Sequence, residues 1–443
     1  MSERGRTSRS TPSLVEIERS AGIRTFITST PGIGGRIKEK DEHFRVEEVL
    51  SARVSESGNH LLIRVEKRNW ETLNFVRVLS NVLGISRKRI GFAGTKDKRA
   101  ITVQYFTISN ADERVERRLS EVRLKDATIE IVGRTNRKID LGDLIGNLFT
   151  ITVDDVRHPE RIEKIVDELR EKGVPNFFGL QRFGTLRLIT HEVGKHIILK
   201  NYEEAFWTYV AKPSELEDDE VYRIREDLWN ERDPVTGLRE LPKHLIYERT
   251  LLQKLREGKG ELEALLSLPK SLKLMFVHAY QSYLFNLLLT SRIEEFGTLR
   301  EIRVNDHADY RKNVERYVVN AEEFGRVTEF NHGRVRFLSE RGYAYLALPL
   351  PGYRTELTGW SGERLKNILD SEGVSLSDFR GEFPEFSSKG SFRVAEIPFD
   401  FAGLDYHTEN GRVVFRFFLP KGCFATSFLR EFTKSDHPYF LKK

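Results

Sequence analysis

Residues 91–108, GFAGTKDKRAITVQYFTI, combine a glycine-containing turn, one carboxylate among cations, and the alternating pattern of a strand. Asp97 is the single acid of this segment, and Lys96, Lys98 and Arg99 surround it. Nearby cations stabilise an ionised carboxylate and lower its pKa, and the same cations can bind a phosphate backbone. The segment therefore predicts a carboxylate nucleophile or base that faces an anionic polymer, or else a salt-bridged hairpin on the surface.

The bulk composition limits the classes of protein that this chain can belong to. A chain of 443 residues is too long for one ordinary core, so two or three domains are expected. The net charge of +5 is a small excess, so an anionic partner has to be argued from clustered cations. The single cysteine, Cys423, excludes an internal disulfide and a cysteine-based zinc site.

The polar N-terminus has no apolar segment of the kind found in secretory signals, and residues 1–23 are predicted to be a disordered basic tail. No apolar run is long enough to span a bilayer, and a cytoplasmic protein is expected. Charged residues make up 31% of the chain, whereas methionine occurs only twice. This composition is typical of a thermophile, which we treat as a hypothesis.

Strand and helix patterns interleave along the chain without the regularity of a doubly wound sheet. Residues 44–50, 61–66, 101–108 and 413–419 alternate like strands, and residues 70–83 have helical spacing before Gly84. Residues 191–296 are predicted to be mainly helical, with an amphipathic helix over 270–293, and strands are expected over 301–348. This order favours an α+β fold.

Several common functional motifs are absent or have the wrong spacing. His191 and His196 are five residues apart, whereas a helical metal pair needs four to share a face. The glycines near residue 34 do not fit a dinucleotide fingerprint, and there is no Walker A sequence. Metal-dependent and cofactor-dependent chemistry is therefore disfavoured.

Several sequence blocks together resemble the tRNA pseudouridine synthase D (TruD) family, and they occur in the family's order over nearly the whole chain. The run G-T-K-D-K-R-A around Asp97 resembles its signature. The other blocks are K-x-x-x-E-x-F-x-V-x-E at 38–48, G-N-L-F-T-I at 146–151, N-F-F-G-L-Q-R-F-G at 176–184, Q-S-Y-L-F-N at 281–286, and L-P-K-G-C-F-A-T at 419–426 with Arg430 and Glu431.

The resemblance implies roles for six residues. Asp97 corresponds to the catalytic nucleophile of the family, and Lys38 is the candidate ion partner that keeps it ionised. Phe44, Phe149 and Phe424 are candidates for a pocket that receives a flipped uracil, although simple core packing is the alternative for each. Asn147 is expected to bond the uracil edge or to order the Asp97 loop, or else to be an ordinary turn residue.

A second set of residues is predicted to bind RNA. Basic residues before and after the Asp97 turn are expected to line a cleft, and Arg182 lies among phenylalanines, a combination common on RNA-binding surfaces. The alternative for Arg182 is an ion pair in a domain joint. The predicted RNA-binding residues are Arg87, Lys88, Arg89, Lys98, Arg99 and Arg182.

The resemblance also implies an architecture. Residues 24–173 and 398–443 are expected to form a pseudouridine-synthase catalytic domain with a mixed, largely antiparallel sheet. Residues 174–397 are expected to form a large inserted α/β domain, the TRUD domain, with RNA in the cleft between the two.

The implied activity is isomerisation of a tRNA uridine, usually that at tRNA position thirteen, to pseudouridine. The implied partner is tRNA, with no cofactor, no metal, no membrane and no obligate protein partner. One alternative is a non-catalytic RNA-binding protein or RNA chaperone. Another is a carboxylate-dependent glycosidase, which needs a second carboxylate such as Glu42 or Glu48 near Asp97.

Overall fold

A computed structural model describes residues 12–51, 54–55, 57–96, 99–314 and 317–438. Asp97 and Lys98 lie outside the described residues, and so does the predicted tail up to residue 11. In these ranges, no helix has both the length and the apolar character that crossing a bilayer requires.

The helices of the described chain fall into an N-terminal set, a large central group and one C-terminal helix. They are α1 (Leu14–Ser20), α2 (Thr72–Leu83), α3 (Glu113–Glu121), α4 (Ile162–Lys172), α5 (Thr190–Ile198), α6 (Tyr202–Ala211), α7 (Asp219–Glu231), α8 (Pro234–Glu240), α9 (Ile246–Arg256), α10 (Glu261–Leu266), α11 (Lys270–Phe296), α12 (His332–Glu340), α13 (Gly359–Glu372) and α14 (Ala425–Thr433).

The strands of the described residues form three sheets. They are β1 (Gly34–Ile37), β2 (Phe44–Leu50), β3 (His60–Arg68), β4 (Ile90–Phe92), β5 (Ile101–Ser109), β6 (Ala127–Thr135), β7 (Leu144–Val156), β8 (Val174–Pro175), β9 (His307–Val314), β10 (Tyr317–Arg326), β11 (Ala344–Leu350), β12 (Ser391–Val394), β13 (Glu396–Ile397), β14 (Asp405–Glu409) and β15 (Arg412–Pro420).

The largest sheet has nine strands in the order β14-β15-β7-β2-β5-β3-β6, with β1 paired to β7 and β4 paired to β5. The pairing of β2 with β5 is parallel, and the other pairings in this sheet are antiparallel. The C-terminal strand β15 therefore pairs with β7 from the N-terminal part. The predicted α+β fold with a mixed, largely antiparallel sheet is confirmed.

One face of this sheet carries two separate apolar cores. On one half, α2 and α3 contribute to a cluster that includes Phe75, Leu79 and Phe106. On the other half, residues of α4 and α14 pack with Phe149 and Phe417 in a much larger cluster. The boundary between the two cores falls on β2 and β5, where polar side chains replace apolar ones.

The long central segment begins and ends at two strands that pair with each other. Strand β8 pairs with β13, which joins residue 174 to residue 397 and residue 175 to residue 396. Between these strands lie helices α5 to α13 and a four-stranded sheet in the order β10-β9-β11-β12. The chain therefore carries an inserted α/β region, in agreement with the predicted fold class.

The prediction of a disordered tail up to residue 23 is wrong for residues 12–23. Ser13 caps α1, and its hydroxyl and backbone exchange hydrogen bonds with Glu16 in a capping box. Leu14 and Ile17 are buried, and Glu18 accepts a hydrogen bond from Arg430 Nε at 2.8 Å. A seven-residue helix has too few apolar positions to be recognised by periodicity alone.

Two further predictions differ in detail. The region 301–348 contains helix α12 between strands β10 and β11. Helix α11 is buried on more than one face, because Gln281 and Asn286 are covered as well as its apolar residues. Asn286 Nδ2 donates to Ala21 O at 2.9 Å, and its Oδ1 accepts from Phe178 N at 2.9 Å, so this amide joins three segments.

Candidate active site

The boundary between the two cores is a buried group of polar side chains on neighbouring strands. Glu48 on β2, Thr102 and Gln104 on β5, and Lys67 on β3 are each 2% exposed or less. Strand register puts them on one face, since Val46 pairs with Thr102 and Thr102 pairs with Lys67. These four residues and Lys96 are called the central polar cluster below. Buried polar groups of this kind need partners, and here they anchor the loop that leads to residue 97.

The ion pair between Glu48 and Lys96 is the strongest contact in the central polar cluster. Lys96 Nζ lies 2.7 Å from Glu48 Oε1, with the two side chains 8% and 0% exposed. Glu48 Oε2 also accepts a hydrogen bond from Tyr105 N at 3.1 Å. Lys96 directly precedes Asp97, so the pair fixes one end of the predicted catalytic turn.

The backbone of the same turn is held by two further bonds. Lys96 N donates to Thr72 Oγ1 at 3.0 Å, and that hydroxyl donates to Gln104 Oε1 at 3.1 Å. Gln104 Nε2 donates to the carbonyl of Gly94. Thr72 is the first residue of α2, so the start of this helix and strand β5 together position residues 94–96.

Lys67 completes the cluster as a second buried cation. Its ammonium donates to Thr102 Oγ1 at 2.8 Å and to Trp70 O at 3.1 Å. Burial lowers the pKa of Lys67 to about 8, against the opposing attraction of Glu48.

Arg99 fixes the other end of the turn. Its Nη2 donates to Lys38 O at 3.1 Å. Lys38 has a left-handed φ of 60°, and its ammonium lies 4.3 Å from the ring centroid of Phe44. Asp97 and Lys98 lie outside the described residues, but the residues on both sides of them are thus bonded to β2, β5, α2 and the residue after β1.

Asn147 lies beside the central polar cluster on β7. It pairs with Glu48 on one side and with Leu419 on the other. Its Oδ1 is buried and has no hydrogen-bond partner among the described residues. A buried acceptor left free in this way can receive a hydrogen bond from a ligand.

Phe44 and Phe149 lie in an aromatic row next to Asn147. Their ring centroids are 6.2 Å apart with an edge-on geometry, and Phe149 stacks on Phe417 at 5.5 Å. Both rings are almost fully buried. They contribute to the larger core while forming the border of the polar cluster.

Phe424 is half-buried, and its described ring contacts are with Phe178 and Arg393. The Arg393 guanidinium carbon lies 4.0 Å from the centroid of Phe178, and its Nη2 donates to Asn176 Oδ1 and to Gly422 O, each at 2.8 Å. Arg393 comes from β12 of the four-stranded sheet. It therefore connects the inserted region to the loop that carries Phe424.

The predicted RNA-binding arginines do not form one patch. Arg89 bonds to the carbonyls of Ser109 and Asn110 at the end of β5, whereas Arg99 precedes the start of that strand. The intervening strand is about 26 Å long. Arg182 is half-buried, donates to Ser282 Oγ at 3.2 Å, and has a pKa lowered by burial.

Several residues that support the candidate site were not predicted from the sequence to do so. The sequence presents Glu48 as the last residue of the 38–48 block and as a possible second carboxylate; in the structure it is bonded to Lys96, whereas Glu42 pairs with Arg68 at 2.6 Å. Glu48 interrupts the inward apolar positions of β2, and Thr102 and Gln104 occupy inward positions of β5 ahead of Phe106 and Ile108; these interruptions were the available signal. Arg393 had no such signal, because its partners lie far away in the sequence.

No group of three or more metal-ligating side chains occurs within the described ranges. Cys423 is buried, which raises the pKa of its thiol to about 12.

Comparisons with known proteins agree on one family. The family model "tRNA pseudouridine synthase D (TruD)" matches residues 20–432. A protein of Archaeoglobus fulgidus named "Probable tRNA pseudouridine synthase D" is 55% identical over 421 residues, covering 95% of this chain and 100% of that protein. A protein of the same name from Pyrococcus abyssi is 38% identical, covering 92% and 98% of the two chains.

A solved crystal structure extends the agreement to the fold. The Methanosarcina mazei protein assigned to tRNA pseudouridine synthase D (TruD) superimposes with a TM-score of 0.81 at 36% identity. The match covers 96% of this chain and 99% of that one. Fold and relatives together define an isomerase of the pseudouridine synthase class. Within that class, the chain belongs to the tRNA pseudouridine synthase D family.

Proposed function

We propose that this protein converts one specific tRNA uridine, that at position thirteen, to pseudouridine, with Asp97 as the nucleophile. The observation that carries this proposal is the double anchoring of the residues beside Asp97. Lys96 is paired with buried Glu48, and Arg99 is bonded to the carbonyl of Lys38. A rigid support on both sides is what a nucleophile needs to hold its attack geometry.

The reaction needs few groups. The N1–C1′ bond of the uridine breaks, the uracil turns over, and a C5–C1′ bond forms, while the C5 proton is lost and N1 gains a proton. Atoms and electrons balance within one nucleotide, so no cofactor is consumed. One carboxylate suffices as the covalent nucleophile, at the base or at the sugar.

The target base must leave the RNA stack to reach that carboxylate, and we assign its receiving pocket to Phe44, Phe149 and Phe424 with Asn147. The free acceptor of Asn147 is suited to a uracil N–H. Lys38, beside Phe44, supplies positive charge that keeps Asp97 ionised.

We divide the chain at residues 173 and 397, next to the β8–β13 pairing, into a catalytic domain and an inserted domain. The tRNA lies between them and contacts Arg99, Lys98 and Arg182, with Arg87, Lys88 and Arg89 as a separate contact at the far end of β5. A tRNA substrate implies that the protein works in the cytoplasm.

The test of the substrate is pseudouridine mapping on unmodified tRNA transcripts with uridine or cytidine at position thirteen. Modification at position thirteen of the uridine transcript, and none in the cytidine transcript, is expected. Modification elsewhere would refute the assigned site.

The test of the pocket compares Phe44→Leu with Phe415→Leu. Both rings are buried on the same sheet face, but Phe415 packs on Phe432 at 5.2 Å, away from the polar cluster. Phe44→Leu is expected to slow single turnover at least tenfold, whereas Phe415→Leu lowers only stability. Equal effects of the two substitutions on turnover would show that Phe44 acts only in core packing.

A further inference from the structure

The most exposed aromatic side chains of the described residues are concentrated on one small part of the inserted region. Phe330 is 101% exposed, Phe337 is 52% exposed and Tyr343 is 55% exposed. Exposed aromatic rings cost free energy in water unless a partner covers them, so three within fourteen residues indicate a binding surface. Tyr247, on α9, is the other largely exposed aromatic ring.

Helix α12 gives this surface its shape. Val335 and Ser339 are buried and face the core, so Arg334, Phe337 and Arg341 lie on the opposite, solvent-facing side at spacings of three and four residues. The Arg341 guanidinium carbon lies 3.6 Å from the centroid of Phe337. Cations and aromatic rings therefore alternate along one exposed face.

The surface carries a net positive charge, which favours an anionic partner. Residues 326–343 contain four arginines and two glutamates, and one of the glutamates, Glu340, is already paired with Arg336 at 3.7 Å. RNA-binding proteins combine arginines that contact phosphates with aromatic or guanidinium planes on which unpaired bases stack. A purely apolar protein partner does not need these cations.

The surface extends along β9: the turn before Phe330 is bonded to residues 305 and 306, just before the start of this strand, and Tyr343 lies nearer to the end that approaches the nine-stranded sheet. Arg311 N of β9 donates to Tyr343 O at 3.1 Å. Three residues further along, about 10 Å, β9 ends, and Tyr317 at the start of β10 stacks on Phe418 of β15 at 4.3 Å. A single RNA can thus contact both regions.

We propose that the outward face of α12 and the segments flanking it, with Phe330, Arg334, Phe337, Arg341 and Tyr343, form a second RNA-docking surface, which stacks unpaired bases of the substrate outside the target nucleotide. The proposal rests on the proposed function only for the identity of the RNA, a tRNA. The site binds through the faces of the bases and through phosphates, so it contributes affinity without reading sequence.

The test measures equilibrium binding of an unmodified tRNA transcript at several salt concentrations, with wild-type protein and single variants. Phe337→Ala is expected to weaken binding about tenfold at every salt concentration, since stacking does not depend on counterions. Arg334→Gln is expected to reduce the slope of log K against log salt by about 0.7 to 0.9. Matched controls are Tyr247→Ala and Arg256→Gln, an exposed ring and an exposed arginine of α9, and both should bind as wild type does.

Wild-type affinity and slope in both α12 variants would overturn the proposal, and so would equal losses in the controls. Unchanged RNA binding with loss of self-association in sedimentation would assign the face to a second copy of the chain instead. Binding is scored without turnover, so the two proposals fail separately. Loss of binding in the α12 variants supports docking even if no pseudouridine forms, and normal binding in them refutes docking even if pseudouridine does form.

Discussion

The buried pair between Glu48 and Lys96 gives the sharpest prediction about the catalytic turn. Glu48→Gln preserves the size of the side chain but leaves the ammonium of Lys96, which is 8% exposed, without its counter-charge. Removing one partner of a buried pair costs about 3 to 5 kcal/mol, much of which is the penalty of the remaining charge. Lys96 escapes this penalty by moving towards water, and we expect it to displace residue 97, the proposed nucleophile, as it moves.

The expected effect on chemistry follows from that movement. A displacement of about 1 Å at a reacting group lowers the rate about a hundredfold. Single-turnover formation of pseudouridine should therefore fall by about that factor in Glu48→Gln, while the affinity for tRNA stays within about twofold. Stability should recover in part in the double variant Glu48→Gln/Lys96→Met, because the unpaired ammonium of Lys96 is removed while Lys67 keeps its bonds to Thr102 and to the carbonyl of Trp70.

Glu47→Gln is the matched control for this experiment. Glu47 is the next residue on the same strand, but its side chain is 35% exposed and its nearest cation, Arg64, is 3.9 Å away. An exposed pair of this kind contributes little, so rate and stability should both stay near wild type. A wild-type rate in Glu48→Gln, or an equal loss in Glu47→Gln, would refute the anchoring argument.

Three further predictions concern pH, loop position and temperature. The pKa of Lys67 is about 8 in the folded protein and about 10.5 in the unfolded chain, so the unfolded state binds more protons between these values and the free energy of unfolding rises with pH. In urea titrations, raising the pH from 8 to 10 should increase the free energy of unfolding of the wild type by about 2 kcal/mol more than that of Lys67→Met. The same pH dependence in both proteins would contradict this. Arg393→Lys loses the planar contact with Phe178 and the paired bonds to Asn176 and Gly422, so it should raise the KM for tRNA severalfold. An unchanged KM would exclude a positioning role. Arg225 is 1% exposed and pairs with Glu217 and Glu248. Because buried ion-pair networks of this kind are typical of thermophiles, we expect a melting temperature above about 65 °C by calorimetry. A melting temperature within the mesophile range would count against the thermophile hypothesis.

The parts of the fold that the sequence predicted well are those with strong local periodicity. Strand β2 has the predicted bounds, and α2 ends at Gly84, which adopts the left-handed conformation expected of a helix C-cap. Helix α1 was missed because it is short and because its residue Glu18 is bonded to Arg430, which is distant in the sequence. Helix α12 was missed because its outward face carries Phe337 and its inward face carries only a few apolar residues.

The candidate site likewise contains some residues that short motifs identify and others that only the folded structure brings together. Phe44, Asn147 and Lys38 were selected through the family resemblance, and Lys38 and Phe44 belong to one short motif. The pairing of β2 with β7, which brings Asn147 beside Glu48, joins segments about a hundred residues apart. The support from Glu48, Gln104 and Lys67 depends on the register of three strands, and the contact of Arg393 with Phe178 depends on tertiary folding. Neither can be derived from spacing along the chain.

The most direct test of the account is single-turnover pseudouridine formation by Asp97→Asn, with tRNA binding measured in the same preparation. The account predicts no detectable product with affinity within a few-fold of wild type, because the amide cannot act as the nucleophile while the RNA contacts remain. Product at the wild-type rate would contradict the assignment of Asp97 and, with it, the role of the anchored turn.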